Sequence, residues 1–313
     1  MAEINIERYT PQRRNEWDVA VASSRNGTFL FCRGYMDYHA ARFTDHSLIF
    51  SVRGNIIAVF PANESDGTLY SHQGLTYGGL LVSEKCKGAD IMEIFSLLIS
   101  HLKSSGINRL VYKPVPHIYH TRPAEEELYA LFRNGAQLTG RALSSVLLPL
   151  QHTAFGQLRR RCIKRGLEAG LQVCEESDFS KFWQILSSNL QERHSVNPVH
   201  TLEEMKLLKG RFPENIRLYV AKKSGVTVGG TVVYETPRCV HVQYIAASPE
   251  GREAGALDVI FSHLITVRYK DVPYFDFGIS TESGGSILNT GLLSQKEGFG
   301  ASGAVYDTYE ILL

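Results

Sequence analysis

The segment Cys239–Ala301 contains the residues whose types and spacing most clearly suggest chemistry. A β-rich run, Val240–Ile245, ends at turn residues, and an amphipathic helix pattern follows. Between them lies Gly251-Arg252-Glu253-Ala254-Gly255-Ala256. The first N–H groups of a helix have no partner within the helix and lie at the positive end of its dipole, so small residues there let a phosphate approach. This pattern predicts an anion site that includes the charge of Arg252, or else an ordinary turn rich in small packing residues.

Two histidines, His194 and His200, flank Pro198 in a segment without clear periodicity. A neutral imidazole on such a loop can accept a proton near pH 7, and loops often carry functional side chains. A capping or surface role fits the same pattern. Both interpretations stay open at this point.

Length and composition predict two ordinary domains, 1–150 and 151–313, in a globular protein of 313 residues. The formal net charge of +1 gives no overall attraction to nucleic acid or membranes. No apolar run approaches the roughly 20 residues of a membrane span, and the first residues lack the apolar core of a signal peptide. We therefore expect a cytoplasmic protein without a transmembrane segment. Its five cysteines lie far apart without a Cys-x-x-Cys pair, which predicts neither a disulfide framework nor a metal site.

A repeated block of elements is the main feature of the chain's organisation. A hairpin pattern at Ser47–Pro61 returns at Arg217–Tyr234, about 170 positions downstream. After it, Tyr70–Leu75 corresponds to Val242–Ile245. The helix that opens at Gly88 corresponds to the helix that opens at Gly255.

The correspondence continues with the next strand and the last helix. The strand pattern Leu110–Pro114 matches Tyr274–Gly278, and Leu131–Ala136 matches Lys296–Ala301. The order of the elements indicates duplication of one supersecondary block.

Positive charge is concentrated between the two halves, in Phe155–Gly166, which contains Arg159-Arg160-Arg161 and Lys164-Arg165. A solvated face on a linking helix is one interpretation. The other is an anion site for a nucleotide phosphate or for the acceptor stem of a tRNA, because arginine binds phosphates bidentately.

The loop at Arg252 and Gly255 resembles the pyrophosphate loop of the GNAT acyltransferases, Arg/Gln-x-x-Gly-x-Gly/Ala, although Leu257 stands where that family has Gly or Ala. With the duplication, the whole chain resembles a tandem GNAT protein of the Fem-related group, which includes enzymes that add amino acids to peptidoglycan precursors. The resembling stretches are Ser71–Gly79, Phe275–Gly278 and Gly291–Ala301. The resemblance implies an α/β (α+β) fold, a duplicated GNAT fold with two mixed sheets flanked by helices, in which two central strands splay apart.

The resemblance also implies a binding site for acetyl-CoA or another acyl-CoA in the second half. The pantetheine arm would pair with the strand from Gln243 to Ala247, and the pyrophosphate would dock at the helix start. The implied cofactor-binding residues are Gln243, Ile245, Ala246, Arg252, Glu253, Ala254, Gly255 and Ala256, with Asn289 opening the last helix.

The implied catalytic residues are less regular. The family often has a tyrosine near the thiolate, where this chain has Ser294, which leaves Tyr244, Lys296 or a water as the proton donor. Glu282, on a glycine-rich loop, would hold or deprotonate the acceptor amine. The implied substrate-binding residues are His194, His200, His72 and Gln73, and the first half serves as a scaffold or as an acceptor-binding copy.

Three functions follow from this resemblance. The first is an acyl-CoA-dependent N-acyltransferase acting on an amine, such as an amino sugar or a cell-envelope precursor. The second keeps the fold but takes its acyl group from aminoacyl-tRNA, as the Fem enzymes do, and the basic run favours it. The third is a binding module without catalysis, which Leu257 and Ser294 suggest.

Overall fold

The computed structural model describes residues 3–151 and 154–313, apart from the side chains of residues 193 and 194. Its helices are α1 Arg14–Ala22, α2 Arg33–Met36, α3 Gly88–Ser104, α4 Glu126–Arg133, α5 Gln157–Glu168, α6 Ser180–His194, α7 Leu202–Arg211, α8 Pro249–Ala254, α9 Ala256–His263 and α10 Thr290–Glu297. Its strands are β1 Ile4–Arg8, β2 Thr44–Asp45, β3 Leu48–Val52, β4 Asn55–Phe60, β5 Asn63–Ser65, β6 Thr68–Tyr70, β7 Leu81–Val82, β8 Arg109–Tyr112, β9 Gln137–Leu147, β10 Gln172–Glu176, β11 Ile216–Lys223, β12 Val226–Glu235, β13 Cys239–Ala247, β14 Tyr274–Ile279, β15 Thr281–Glu282, β16 Ile287–Leu288 and β17 Ser302–Leu312.

The chain forms two compact units. The first comprises the chain up to Ala142 with Glu282–Ile287 and Val305–Leu313. The second comprises Leu143–Thr281 and Leu288–Ala304. Each unit has its own apolar cluster. The division into domains 1–150 and 151–313 stays a prediction, as do their roles as a scaffold or acceptor side and a cofactor side.

The first unit contains an antiparallel sheet in the order β1-β3-β4-β7, and further strands in the order β17-β8-β6-β5-β2. In this second group β6 runs parallel to β8. Helix α3 covers the core with the apolar stripe that the sequence predicts, because residues three and four apart share one helix face. Its buried members are Ile91, Ile94, Phe95, Leu98 and Leu102.

The predicted correspondence of Tyr70–Leu75 to the strand Val242–Ile245 does not extend beyond Tyr70, where β6 ends. Ser71 ends the ladder by accepting the Lys113 amide on its hydroxyl at 2.8 Å. The chain then turns at His72, whose φ of +70° lies in the left-handed region. His72 and Gln73 therefore lie in a turn, whereas Val242–Ile245 of the second unit lie in a strand.

In the second unit, the strands follow the order β10-β11-β12-β13-β14-β9. All neighbours are antiparallel except β13 and β14, so the sheet is mixed, as expected. Helix α9 packs on one face of the sheet through the predicted stripe. Its apolar cluster includes Val240, Val242, Phe275 and Phe277 from the strands and Ile260, Phe261, Leu264 and Ile265 from the helix and the turn after it.

The turn predicted at Gly251–Ala256 is itself largely helical. Helix α8 is capped by Ser248, whose hydroxyl accepts the Gly251 amide at 3.1 Å. It ends at Gly255, which has φ +84° and separates α8 from α9. A π-helical turn, Leu264–Arg268, extends α9.

Within residues 3–151 and 154–313, no helix is long and apolar enough to cross a membrane. The same residues contain no group of three His, Cys, Asp or Glu side chains arranged to hold a metal ion.

Candidate active site

Strands β13 and β14 part after a short parallel contact, and this opening is the centre of the candidate site. They pair only over Cys239–His241 and Tyr274–Asp276 within the described chain. On its other edge β14 pairs with β9 from Phe275 to Ile279, and the register of this pairing shifts between Asp276 and Ile279, where Gly278 has φ +78°. Beyond His241 no pairing of β13 with β14 is present in the described residues, and an extended ligand could hydrogen bond to the β13 backbone in this gap.

A β-bulge at Gln243 directs polar side chains to one face of β13. The register with β12 shifts there, because Val232 opposes Tyr244 while Val233 opposes Val242. Bulges commonly redirect side chains next to functional sites. Gln243 hydrogen bonds to Tyr244, while its Oε1 is buried without a hydrogen bond partner. That oxygen can accept an N–H from a ligand.

Two of the predicted site residues, Tyr244 and His200, lie in contact. The Tyr244 hydroxyl lies 2.6 Å from Nδ1 of His200 and 3.3 Å from the His200 amide, and the Tyr244 ring packs edge-on against Trp183. Burial raises the pKa of Tyr244 to about 12. The hydroxyl therefore remains protonated at neutral pH and can serve as a proton donor. The side chain of His194, the other predicted histidine, lies outside the described residues.

At the point where the strands part, Asp276 anchors a buried polar group. Its Oδ2 lies 2.8 Å from Nδ1 of His241, while Oδ1 accepts the hydroxyl of Ser144 at 2.5 Å and the amide of Gly278 at 2.9 Å. The Asp276 side chain is fully buried. Sequence reasoning missed His241, whose signal is its alternation with Val240 and Val242.

Lys296 holds the end of β14. Its ammonium donates to the carbonyls of Gly278 and Ile279 at 2.7 and 2.8 Å, and to the hydroxyl of Ser280 at 3.0 Å. Burial lowers its pKa to about 8, against the opposing influence of Asp276. Because these three bonds match the three hydrogens of the ammonium, the observed contacts position the strand. A role for Lys296 in proton transfer stays a prediction.

The start of α9, the predicted phosphate dock, is buried beneath α5. Ala256 has no exposed surface, and a Cβ added at Gly255 would lie 2.9 Å from the Cys162 carbonyl oxygen of α5. The side chain of Leu257 is half-buried and packs against the apolar cluster. In this arrangement the first amides of α9 do not fit a coenzyme A pyrophosphate.

Three charged side chains near this helix start, those of Arg159, Asp258 and Arg252, form hydrogen bonds. Arg159 of α5 pairs with Asp258 in the first turn of α9 at 2.5 Å, and both side chains are largely buried. Arg252 donates to the carbonyl of Ala247 and to the side chain of Asn189. The neighbouring Glu253 is exposed, while Ala254 is buried. The Arg159–Asp258 ion pair thus lies at the start of α9, and the binding roles of the loop residues stay predictions.

The remaining predicted site residues are distributed over both units. Asn289 caps α10 by accepting the Leu292 amide at 3.0 Å, and Ile245 and Ala246 continue β13 beside the gap. Glu282 is an exposed residue of the first unit. His72 and Gln73 also belong to the first unit, where burial lowers the pKa of His72 to about 3 and Gln73 hydrogen bonds to Asn63.

Comparison with known proteins gives a family match for part of the chain and similar folds for nearly all of it. Residues 156–283 match the family model described as an acetyltransferase (GNAT) domain. A sequence comparison with curated proteins gives no match. Among solved structures, FemX is similar over 99% of this chain and 97% of its own, with 12% identity and a TM-score of 0.70.

Two further structures share the fold. One is the C-terminal domain of a protein described as a lysylphosphatidylglycerol synthetase from Agrobacterium fabrum, with 12% identity, TM-score 0.62 and coverage of 96% of this chain and 92% of that one. The other is a tandem GNAT protein from the clavulanic acid biosynthesis pathway, with 13% identity, TM-score 0.51 and coverage of 99% and 98%. Residues 156–283 therefore match a GNAT acetyltransferase domain, and the chain as a whole shares the fold of FemX and of the tandem GNAT protein. This confirms the predicted fold class, and the match over residues 156–283 agrees with the predicted resemblance to the GNAT acyltransferases.

Proposed function

We propose that this protein is an N-acyltransferase that transfers an acyl group from an activated donor to an amine, in the gap between β13 and β14. The observation that carries the proposal is the parting of these strands after His241 and Asp276, inside the GNAT domain. The acceptor class is a small amine, such as an amino sugar or a cell-envelope precursor. Gln243, with its buried and unpartnered Oε1, would accept a hydrogen from the amine or from the acyl donor.

Tyr244 would protonate the departing sulfur or oxygen of the donor. Its raised pKa keeps the proton on the hydroxyl until charge develops on the leaving atom, and His200 at 2.6 Å holds the hydroxyl in place. This assignment replaces the tyrosine that the family often has at the position of Ser294. Lys296 would keep the end of β14 in position through its carbonyl contacts.

The first candidate donor is an acyl-CoA, which the GNAT domain implies in general. An acyl-CoA bound in the gap between β13 and β14 would supply its thioester as the activated acyl group. The chain's own backbone along Gln243–Ala247 would bind the extended arm. Because the start of α9 is buried beneath α5, we derive no contact to a pyrophosphate there.

The second candidate donor is aminoacyl-tRNA, and a specific observation favours it. Arg160, Arg161 and Lys164 are exposed on the same helix that buries the start of α9. Their side chains could bind a phosphate backbone through charge. This donor therefore does not need a phosphate site at the start of a helix. The low-identity similarity to FemX covers almost the whole chain and is compatible with this donor.

Calorimetric titration with acetyl-CoA, and filter binding of aminoacyl-tRNA at low salt, test the two donors. Micromolar binding of acetyl-CoA that Arg252→Glu abolishes would support the first donor and require α5 to move. Salt-sensitive tRNA binding without acetyl-CoA binding would support the second. If neither donor binds at millimolar acetyl-CoA or micromolar tRNA, the proposed transferase function is wrong and the binding-module alternative remains.

A further inference from the structure

His241 and Asp276 face the same side of the sheet at the last paired position of β13 and β14. Val240 and Val242 face the apolar cluster, so the side chain between them points to the opposite face. The same alternation of Phe275 and Phe277 places Asp276 on that face. The pair therefore lies where the gap begins, on the face away from α9.

Asp276 fixes the orientation of the His241 ring. An ionised carboxylate only accepts hydrogen bonds, so Nδ1 of His241 must donate across the 2.8 Å contact. The imidazole then has its basic lone pair on Nε2. The hydroxyl of Ser144 and the amide of Gly278 hold the carboxylate from its other side, which prevents the ring and carboxylate from turning together.

The surroundings suit a group that exchanges protons with a ligand. The His241 side chain is 13% exposed, whereas Asp276 has no exposed surface. Lys296, which interacts electrostatically with Asp276, offsets the negative charge of the carboxylate. An imidazole at the rim of the gap, backed by a buried carboxylate, is the arrangement of an oriented general base.

We propose that His241 is the general base of the transfer reaction and that Asp276 is its positioning residue. This inference rests on the proposed function. The lone pair of a neutral amine attacks the acyl carbonyl carbon, an N–C bond forms, and the bond from that carbon to the donor's sulfur or oxygen breaks. The amine proton passes to Nε2 of His241, and the leaving atom takes a proton from Tyr244. His241 then releases its proton to water and Tyr244 regains one, so the enzyme returns to its initial state.

The test is a hydroxamate assay with hydroxylamine as acceptor, run separately with acetyl-CoA and with aminoacyl-tRNA as donor. His241→Asn keeps a side-chain N–H for Asp276 but has no basic nitrogen. We expect it to lower kcat by about 10²- to 10⁴-fold, the usual contribution of a general base, with little change in donor KM. His263→Asn, in a half-buried histidine of α9, is the matched control and should leave kcat unchanged.

Chemical rescue separates a base from a structural residue. We expect added imidazole to restore part of the kcat of His241→Ala, because a small base can enter the vacated space, and to leave His263→Ala unaffected. Asp276→Asn should lower kcat without imidazole rescue, because the ring remains but its tautomer is no longer fixed.

The outcomes distinguish this inference from the function on which it rests. Hydroxamate formation by the wild type that His241→Asn retains would overturn the role of His241 alone. A wild type that forms no hydroxamate above background with either donor would overturn the transferase function and this inference together.

Discussion

Glu127 has a buried carboxyl group in the core of the first unit. From its environment we predict how the stability of the fold depends on pH. The side chain is 3% exposed. It accepts the amide of Leu80 at 3.1 Å and hydrogen bonds to the hydroxyl of Tyr112. Burial raises its pKa from the ordinary value of 4.5 to about 8. The folded protein therefore holds this proton more tightly than the unfolded chain does.

The sign of the effect on stability follows from that difference. A raised pKa stabilises the fold fully below pH 4.5, and the contribution decreases as the pH rises toward 8 and is lost above it. We expect Glu127→Gln, which cannot ionise, to gain melting temperature relative to the wild type as the pH is raised from 5 to 9. Thermal unfolding across that range measures the difference. Glu126→Gln, at a half-buried neighbour, is the control. A difference that does not vary with pH would contradict the buried, protonated Glu127.

At the scale of elements, the close contact between α5 and α9 decides whether the start of α9 can bind an anion. Gly255 has φ +84°, and an added Cβ would lie 2.9 Å from a backbone oxygen of α5. Gly170 has a similar φ of +77°, but nothing lies within 4 Å of its added Cβ. The two glycines therefore separate backbone strain from helix packing.

We expect Gly170→Ala to destabilise the fold by about 1 kcal/mol, the usual penalty for a left-handed residue with a Cβ. Gly255→Ala should destabilise it by roughly 1–3 kcal/mol more, because the methyl group pushes α5 away from the helix start. Urea unfolding of the two variants measures both values. Equal losses would mean that α5 does not rest on α9 in solution.

The elements that the sequence predicted are those with local signals. The stripe of α3, the two hairpins and β14 follow from periodicity and turn residues, which depend on neighbours in sequence. The contact of α5 with α9 joins Cys162 to Gly255, and the His241–Asp276 pair joins two strands. Such contacts depend on tertiary packing, so no local pattern could predict them. For the same reason the sequence could not show that the chain turns at His72, within the stretch expected to correspond to Val242–Ile245.

At the scale of the whole molecule, charge decides between the two donors. A net charge of +1 gives almost no overall attraction to a polyanion. Any tRNA affinity must therefore come from a local group of cations. The exposed side chains of α5 form such a group, and Lys164 is 78% exposed and lies 3.7 Å from a carboxylate oxygen of Glu168. Exposed pairs of this kind contribute little stability, so Lys164 can be changed without unfolding the helix.

We expect the double variant Arg160→Glu/Lys164→Glu to weaken aminoacyl-tRNA binding at least tenfold at low salt. It should also flatten the salt dependence of the dissociation constant, because each lost phosphate contact removes about 0.7–0.9 from the log–log slope. Lys206→Glu/Lys270→Glu is the matched control, since it makes the same change in net charge at exposed lysines of α7 and of the turn before β14. Equal weakening by both double variants would assign the binding to net charge rather than to α5. Binding that neither variant nor salt affects would remove aminoacyl-tRNA as the donor and leave acyl-CoA, with a movement of α5 as its requirement.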